Sequence, residues 1–274
     1  MLRRMTMSHP LISTAISALI FSTHLMAEEH STTPKDKPLP AGQPADAAKD
    51  APEELQAALG KLELPGIKIN VKEWSVDVEA EITLQTGLLE LIVCTKDTKE
   101  HESILMVKAK PSHIHTALLL LGAQPGNPAT QRVIDGDEPR FIHLPPRGHP
   151  VDVYLVFGED ASKEHPINEF IIPADHHDAT VQAKEPGADE KFHTHTFVFA
   201  GSVLHSTGDG PKIYVADQSG SVISLATFGD ELLCLPGFHD NANEALAWQA
   251  NGDKLPEIGT KVTLRLRPHR IEQP

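Results

Sequence analysis

Residues 87–122 read GLLELIVCTKDTKEHESILMVKAKPSHIHTALLLLG, and their pattern decides how the rest of the chain is read. Positions 88–94, LLELIVC, are apolar everywhere except Glu90. A strand without alternation is covered on both faces. Thr95 to Thr98 has turn chemistry, and residues 99–107 read as an antiparallel return strand. Pro111 and Ser112 then open a helix, since proline suits the first turn and serine suits a cap. Ile114, Ala117, Leu118 and Leu121 fall on one helical face. Gly122 supplies the left-handed stop. The expectation is a hairpin sealed on both sides which, with its helix, forms the hydrophobic heart of the domain.

Outward from this unit the sequence is rich in strands. Residues 67–71 (IKINV), 74–82 (WSVDVEAEI) and 262–266 (VTLRL) alternate apolar and polar positions, the pattern of a sheet with one wet face. VDVYLVF at 151–157 and FHTHTFVFAGSVL at 192–204 read as further strands, the second bent at Gly201. Residues 212–216 and 221–227 read as a hairpin. With 22 prolines, 18 glycines and 5% aromatic residues, the composition suits many turns. The predicted fold class is α+β: a sheet-dominated, mostly antiparallel single domain with a few short helices, spanning residues 64–274.

Upstream lies no core-forming sequence. Arg3 and Arg4 precede the apolar run PLISTAISALIF at 10–21, which is too short to span a bilayer. Residues 1–27 are therefore expected to be a signal peptide cut after Ala27, giving a secreted or periplasmic protein. Residues 28–63 read as a Pro/Ala-rich disordered linker, having almost nothing apolar to bury. No stretch after residue 27 approaches the length of a membrane span. The formal charge is −14, which disfavours nucleic acid as a partner. The two cysteines, Cys94 and Cys234, both sit in apolar runs. An oxidising compartment permits a disulfide between them, and two buried thiols are the alternative.

Several of these stretches together resemble the YdjY domain family of exported bacterial proteins. The resemblance is carried by LLELIVC at 88–94, KEHES at 99–103, KPSHIHTALLLLG at 110–122, FAGS at 199–202 and YVADQSGSVISLATF at 214–228. It covers the chain from about residue 64 onward. The family has no established reaction, so the resemblance transfers no catalytic residue.

Few side chains invite chemistry. A carboxylate inside a doubly buried strand must be paired, hydrogen-bonded or protonated, which singles out Glu90. With a loop at residues 95–97, Glu90 faces Glu102; with a loop one residue longer, it faces Ser103. Side by side, the two carboxylates shift one pKa upward or hold a cation. His193 and His195 lie two apart on an expected strand, a spacing that suits two metal ligands and equally two half-exposed strand residues. Asp175-His176-His177-Asp178 matches one motif of the DHH phosphoesterases, but the other aspartate motifs are missing. No nucleophile elbow, phosphate-binding loop, H-E-x-x-H or C-x-x-C is present. Ser202 in FAGSVL reads as a turn hydroxyl. The sequence names no cofactor and no partner. It favours a non-enzymatic envelope module that binds a polymer, protein or small ligand. A metal-binding protein using Glu90, Glu102, His193 and His195 is the alternative.

Overall fold

The computed structural model describes residues 59, 61–134, 140–158, 163–174, 191–206, 208, 210–242 and 246–270. The expected signal peptide, nearly all of the linker before residue 61, and the Asp175–Asp178 motif lie outside the described residues. In chain order the strands are β1 (Ile67–Asn70), β2 (Ser75–Ile82), β3 (Leu91–Thr95), β4 (Ser103–Val107), β5 (Thr130–Ile134), β6 (Arg140–Leu144), β7 (His149–Val156) and β8 (Glu164–Pro166). They continue as β9 (Ile171–Pro173), β10 (Thr196–Phe199), β11 (Leu204–His205), β12 (Ile213–Tyr214), β13 (Ser221–Ser224), β14 (Leu233–Cys234), β15 (Trp248–Ala250) and β16 (Lys261–Pro268). Among the described residues, the helices α1 (Pro111–Leu120) and α2 (Ala216–Ser219) join them. Neither is long and apolar enough to cross a membrane.

Eight strands close into a barrel in the order β2-β16-β7-β10-β14-β13-β3-β4 and back to β2. One edge of β2 serves two partners. Its residues Ser75–Val78 pair with β1, and Ala80–Ile82 pair with β4. The second pairing closes the ring. Two junctions are parallel, β3–β4 and β13–β14, and the others are antiparallel.

This overturns the expected α+β, mostly antiparallel architecture. The turn after β3 is real: the Thr98 hydroxyl donates to the Thr95 carbonyl at 2.6 Å, and Asp97 takes a left-handed φ of 63°. The residues that follow are not yet strand. Residues 96–102, including a 3₁₀ turn at Glu100–Glu102, carry the chain back to the start of β3, so β4 runs parallel to it with Val93 opposite Leu105. The expected hairpin at 212–227 also fails. Residues Ala216–Ser219 are helical, and β13 pairs with β3 and β14 instead of β12. The expected strand at 192–204 is regular only over Thr196–Phe199. Cys94 and Cys234 are buried free thiols, which stand on strands either side of β13.

Registers pass one apolar face around the ring, because paired residues point the same way. Val78 opposes Leu264, which opposes Leu155; Phe199 opposes Leu233, which opposes Ile223. All six are fully buried. Helix α1 packs against β1, β2 and α2, with Ile114 and Leu118 wholly buried. Leu91 and Val93 are equally buried, so residues 88–121 do supply the heart of the core. Pro111 opens α1 as expected, but the cap is not local: Asp217 of α2 accepts from the Ser112 backbone N–H at 2.8 Å and from its hydroxyl at 2.7 Å.

Gly220 fixes the approach of α2 to β3. Its φ is +79°, and a Cβ there would lie 2.3 Å from the Thr98 hydroxyl oxygen. Gly158 has a similar φ of +87° with open space around it. Gly158→Ala should therefore cost only the left-handed conformation, about 1–2 kcal/mol. Gly220→Ala should cost about 2–4 kcal/mol, because overpacking adds to it. Thermal or urea unfolding followed by circular dichroism measures both.

Candidate functional site

Polar groups gather at three places around the barrel. The first is under α1. His115 Nδ1 lies 2.9 Å from the Tyr214 hydroxyl, which donates to the Gly201 carbonyl at 3.0 Å. The hydroxyl has one proton, so His115 is the donor at Nδ1. Burial holds the His115 pKa below 6.5 against a pull from the Gly201 carbonyl, and so favours the neutral ring. Burial also pushes the Tyr214 phenol well above its ordinary value. Ser202, at a left-handed φ of 54°, donates to the Asp230 carbonyl at 2.6 Å and accepts from the Ala216 N–H at 3.1 Å. Both capacities of the hydroxyl are engaged in the turn. The motifs at 110–122, 199–202 and 214–220 thus meet in one hydrogen-bonded belt that fastens α1 to the barrel. Sequence reading missed this belt, because its members are far apart in the chain.

The second place holds Glu90 and Glu102. Glu90 precedes β3 and is half-buried, not sealed inside it. The parallel register sets the two residues side by side, with the Glu90 N–H donating to the Glu102 carbonyl at 3.2 Å. Burial, then the Glu102 carboxylate and a hydrogen bond to it, push the Glu90 pKa above 4.5; Lys99 and His101 pull it back. Lys99 is itself occupied. Its ammonium sits 3.4 Å from the centroid of the Phe228 ring and 3.3 Å from the Ser221 hydroxyl.

The third place lies on the outer wall. His193 and His195 differ in their surroundings. The His195 ring is 3.2 Å from the Tyr154 hydroxyl and 3.9 Å from Asp152, whereas His193 is exposed. The other Asp152 oxygen accepts from Thr196 at 2.5 Å and from His269 at 2.8 Å. Beside this group, Arg265 makes a two-pronged pair with Asp77, both contacts at 2.7 Å, and reaches Glu164 at 2.8 Å. Burial pushes Glu164 up, but Arg267 and Arg265 outweigh it and hold its pKa below 4.5. Arg267 also bonds the Glu73 carbonyl. These pairs tie β8 and the β1–β2 turn to the wall. Among the described residues, no three His, Cys, Asp or Glu side chains converge to hold a metal ion.

A cleft of about 620 Å³ crosses the same wall further along. Two cross-strand rows form its floor, Val156–Thr263–Glu79 and Lys261–Glu81–Met106. Lys108, Phe157 and Pro65 stand at its margins. No described carboxylate forms a salt bridge with Lys108 or Lys261.

The carboxyl pair has a testable pH signature. A carboxyl whose native pKa is raised binds its proton more tightly when folded. Its contribution to stability is present below the unfolded value and is lost as pH rises through the native one. Glu90→Gln keeps the hydrogen-bonding shape without the charge. The variant should match the wild type near pH 4 and become the more stable protein as pH rises above about 4.5, where the wild type loses the protonated form. Urea midpoints of both proteins between about pH 4 and pH 8 measure this.

No curated protein and no solved structure matches the chain. A family model does, over residues 67–267, which covers the whole barrel from β1 to the penultimate residue of β16. The motif belt beneath α1 and the carboxyl pair both fall inside that span, and the chain belongs to the YdjY domain family.

Proposed function

We propose that this protein is an exported envelope module that binds its ligand without chemical turnover, and that the outer-wall cleft is where it binds. The observation behind this reading is the make-up of the cleft. Its floor carries Val156 and Met106 beside Thr263, Glu79 and Glu81, and its two lysines, Lys108 and Lys261, form no salt bridge with a described carboxylate. A concave site of this size is within the usual range of a ligand pocket. The inward-facing side chains of the barrel are fully buried, as an eight-stranded ring allows, and this reading therefore puts binding on its outside. Val156 and Met106 favour an apolar segment and the two lysines an acidic group, while Glu79 and Glu81 disfavour a ligand with more than one acid.

Anilinonaphthalene sulfonate, an apolar ring system with one anionic group, tests this site. It should bind with enhanced fluorescence, and dodecanoate should displace it. The Lys108→Glu/Lys261→Glu double variant should bind roughly tenfold or more weakly, each lost ion pair being worth up to about 1 kcal/mol. Unchanged binding by the double variant, with the fold intact, removes the cleft from consideration.

Export is part of the same proposal. Its support is the pair Arg3 and Arg4 ahead of the apolar run at 10–21 and the small residue Ala27. Fractionation and N-terminal sequencing of the native protein should find a chain starting at Glu28 outside the cytosol. A chain in the cytosol retaining residues 1–27 contradicts it. A metal-binding role has less behind it. Glu90 and Glu102 lie together, but no third metal-ligating side chain joins them among the described residues, and His193 stands exposed.

A further inference from the structure

We propose that the cleft between the β1–β2 turn and the end of β16 is an oxyanion site built by Trp74 and Arg270, separate from the outer-wall cleft.

The argument begins with the backbone. Asn70 pairs with Ser75, so residues 71–74 form the turn. Its last residue, Trp74, has a φ of +55°. Glycine or asparagine suits that position, whereas a bulky side chain there is an outlier. Packing gives the ring a place: a Cβ on Gly122 would lie 3.9 Å from the indole Cζ2. Packing does not account for the other edge of the ring. The indole Nε1–H is buried and has no acceptor. A buried donor without a partner needs an explanation, and a bound acceptor is one.

Arg270 supplies the charge. Its guanidinium carbon lies 5.4 Å from the centre of the Trp74 ring. It is exposed, and no described carboxylate forms a salt bridge with it. Arg265 and Arg267 differ, being fully engaged by Asp77 and Glu164. The cleft of about 450 Å³ beside Arg270 is lined by Trp74, Arg267, His269, Asp152 and Glu73. A second cleft of similar volume lies on the other side of His269 and Arg270, against His149 and Gln124. The acidic members do not claim Arg270. Asp152 is engaged by Thr196 and His269, and the Glu73 carboxylate lies 3.9 Å from Arg265.

An indole N–H and a guanidinium fork are donors only, so the ligand must be an acceptor with negative charge: a carboxylate or a phosphate group. Arg270 lies over the ring and is held by no described carboxylate. With the anion seated on the Arg270 fork, the indole edge, buried in the ligand-free structure, has to open toward it to donate the second bond.

Trp74 is its own reporter. The chain has two tryptophans, so Trp248→Phe in the full-length protein leaves only Trp74. Sodium phosphate and sodium glucuronate are titrated separately, with ionic strength held constant by sodium chloride. A saturable change in Trp74 emission is expected with at least one of the two anions. Saturation by phosphate assigns a phosphorylated ligand; saturation by glucuronate alone assigns a carboxylated saccharide. Adding Arg270→Gln should raise the half-saturation concentration about tenfold or more, since a charged hydrogen bond is lost, without lowering the unfolding temperature. A response to both anions no different from that to chloride overturns the proposal, as does an Arg270→Gln variant that still saturates at the same concentration. Fluorine NMR of the wild-type chain labelled with fluorotryptophan reads the same site should Trp248→Phe fail to fold.

Discussion

The sheet closes because β2 divides one edge between β1 and β4. A sheet edge left open exposes unpaired backbone groups, and closure removes them. Here closure also settles where every other residue can go. Once Ala80 meets Val107, the registers carry the inward face from strand to strand, through Val78, Leu264 and Leu155 on one side and Val93, Ile223 and Leu233 on the other. Each such side chain contributes about 1.5–3 kcal/mol by leaving water. An eight-stranded ring has an interior that side chains just fill. Most charged side chains therefore stand on the outer wall and the ends.

Most of the polar groups there are satisfied by one another. Arg265, Asp77, Glu164 and Arg267 form one connected set, and Ser112, Asp217, His115, Tyr214 and Gly201 tie α1 and its surroundings together. Removing one partner of such a set leaves the other buried without a bond, which costs more than the bond itself contributes. A few groups stand outside this pattern. Glu231 is fully buried, with one carboxyl oxygen accepting from the Phe228 and Gly229 N–H groups and the other lacking a partner. Burial pushes its pKa upward against those two bonds, which favours the protonated acid. The Trp74 indole N–H is another such group, on a residue that lines a cleft beside Arg270, a cation in no salt bridge with a described carboxylate.

Reading the sequence located the parts better than their pairing. Residues 88–122 were legible as the core because burial writes itself into composition: Leu91, Val93, Ile114 and Leu118 are all sealed. Alternation at 74–82 and 262–266 likewise marked β2 and β16, whose outer residues Asp77 and Arg265 are the polar positions of the pattern. The turn at Thr95–Thr98 was legible too. What misled was the assumption that a turn between two apolar runs joins them antiparallel. Seven residues, one of their bends held by Asp97 at positive φ, return the chain far enough for β4 to run parallel. The Glu90–Glu102 neighbourhood was foreseen for one loop length, yet it arises from this parallel register instead. His193 and His195 were read as sharing a strand face, but regular pairing starts only at Thr196.

Local sequence determined which segments are apolar, where helix α1 begins and stops, and which residues carry charge, since each follows from a residue's own chemistry and that of its near neighbours. Tertiary structure alone decided the ring, because strand pairing is a choice among distant partners that composition does not encode. The same choice brought Tyr214 to His115, Asp217 to Ser112 and Arg270 to Trp74, contacts that span from 99 to 196 residues of chain.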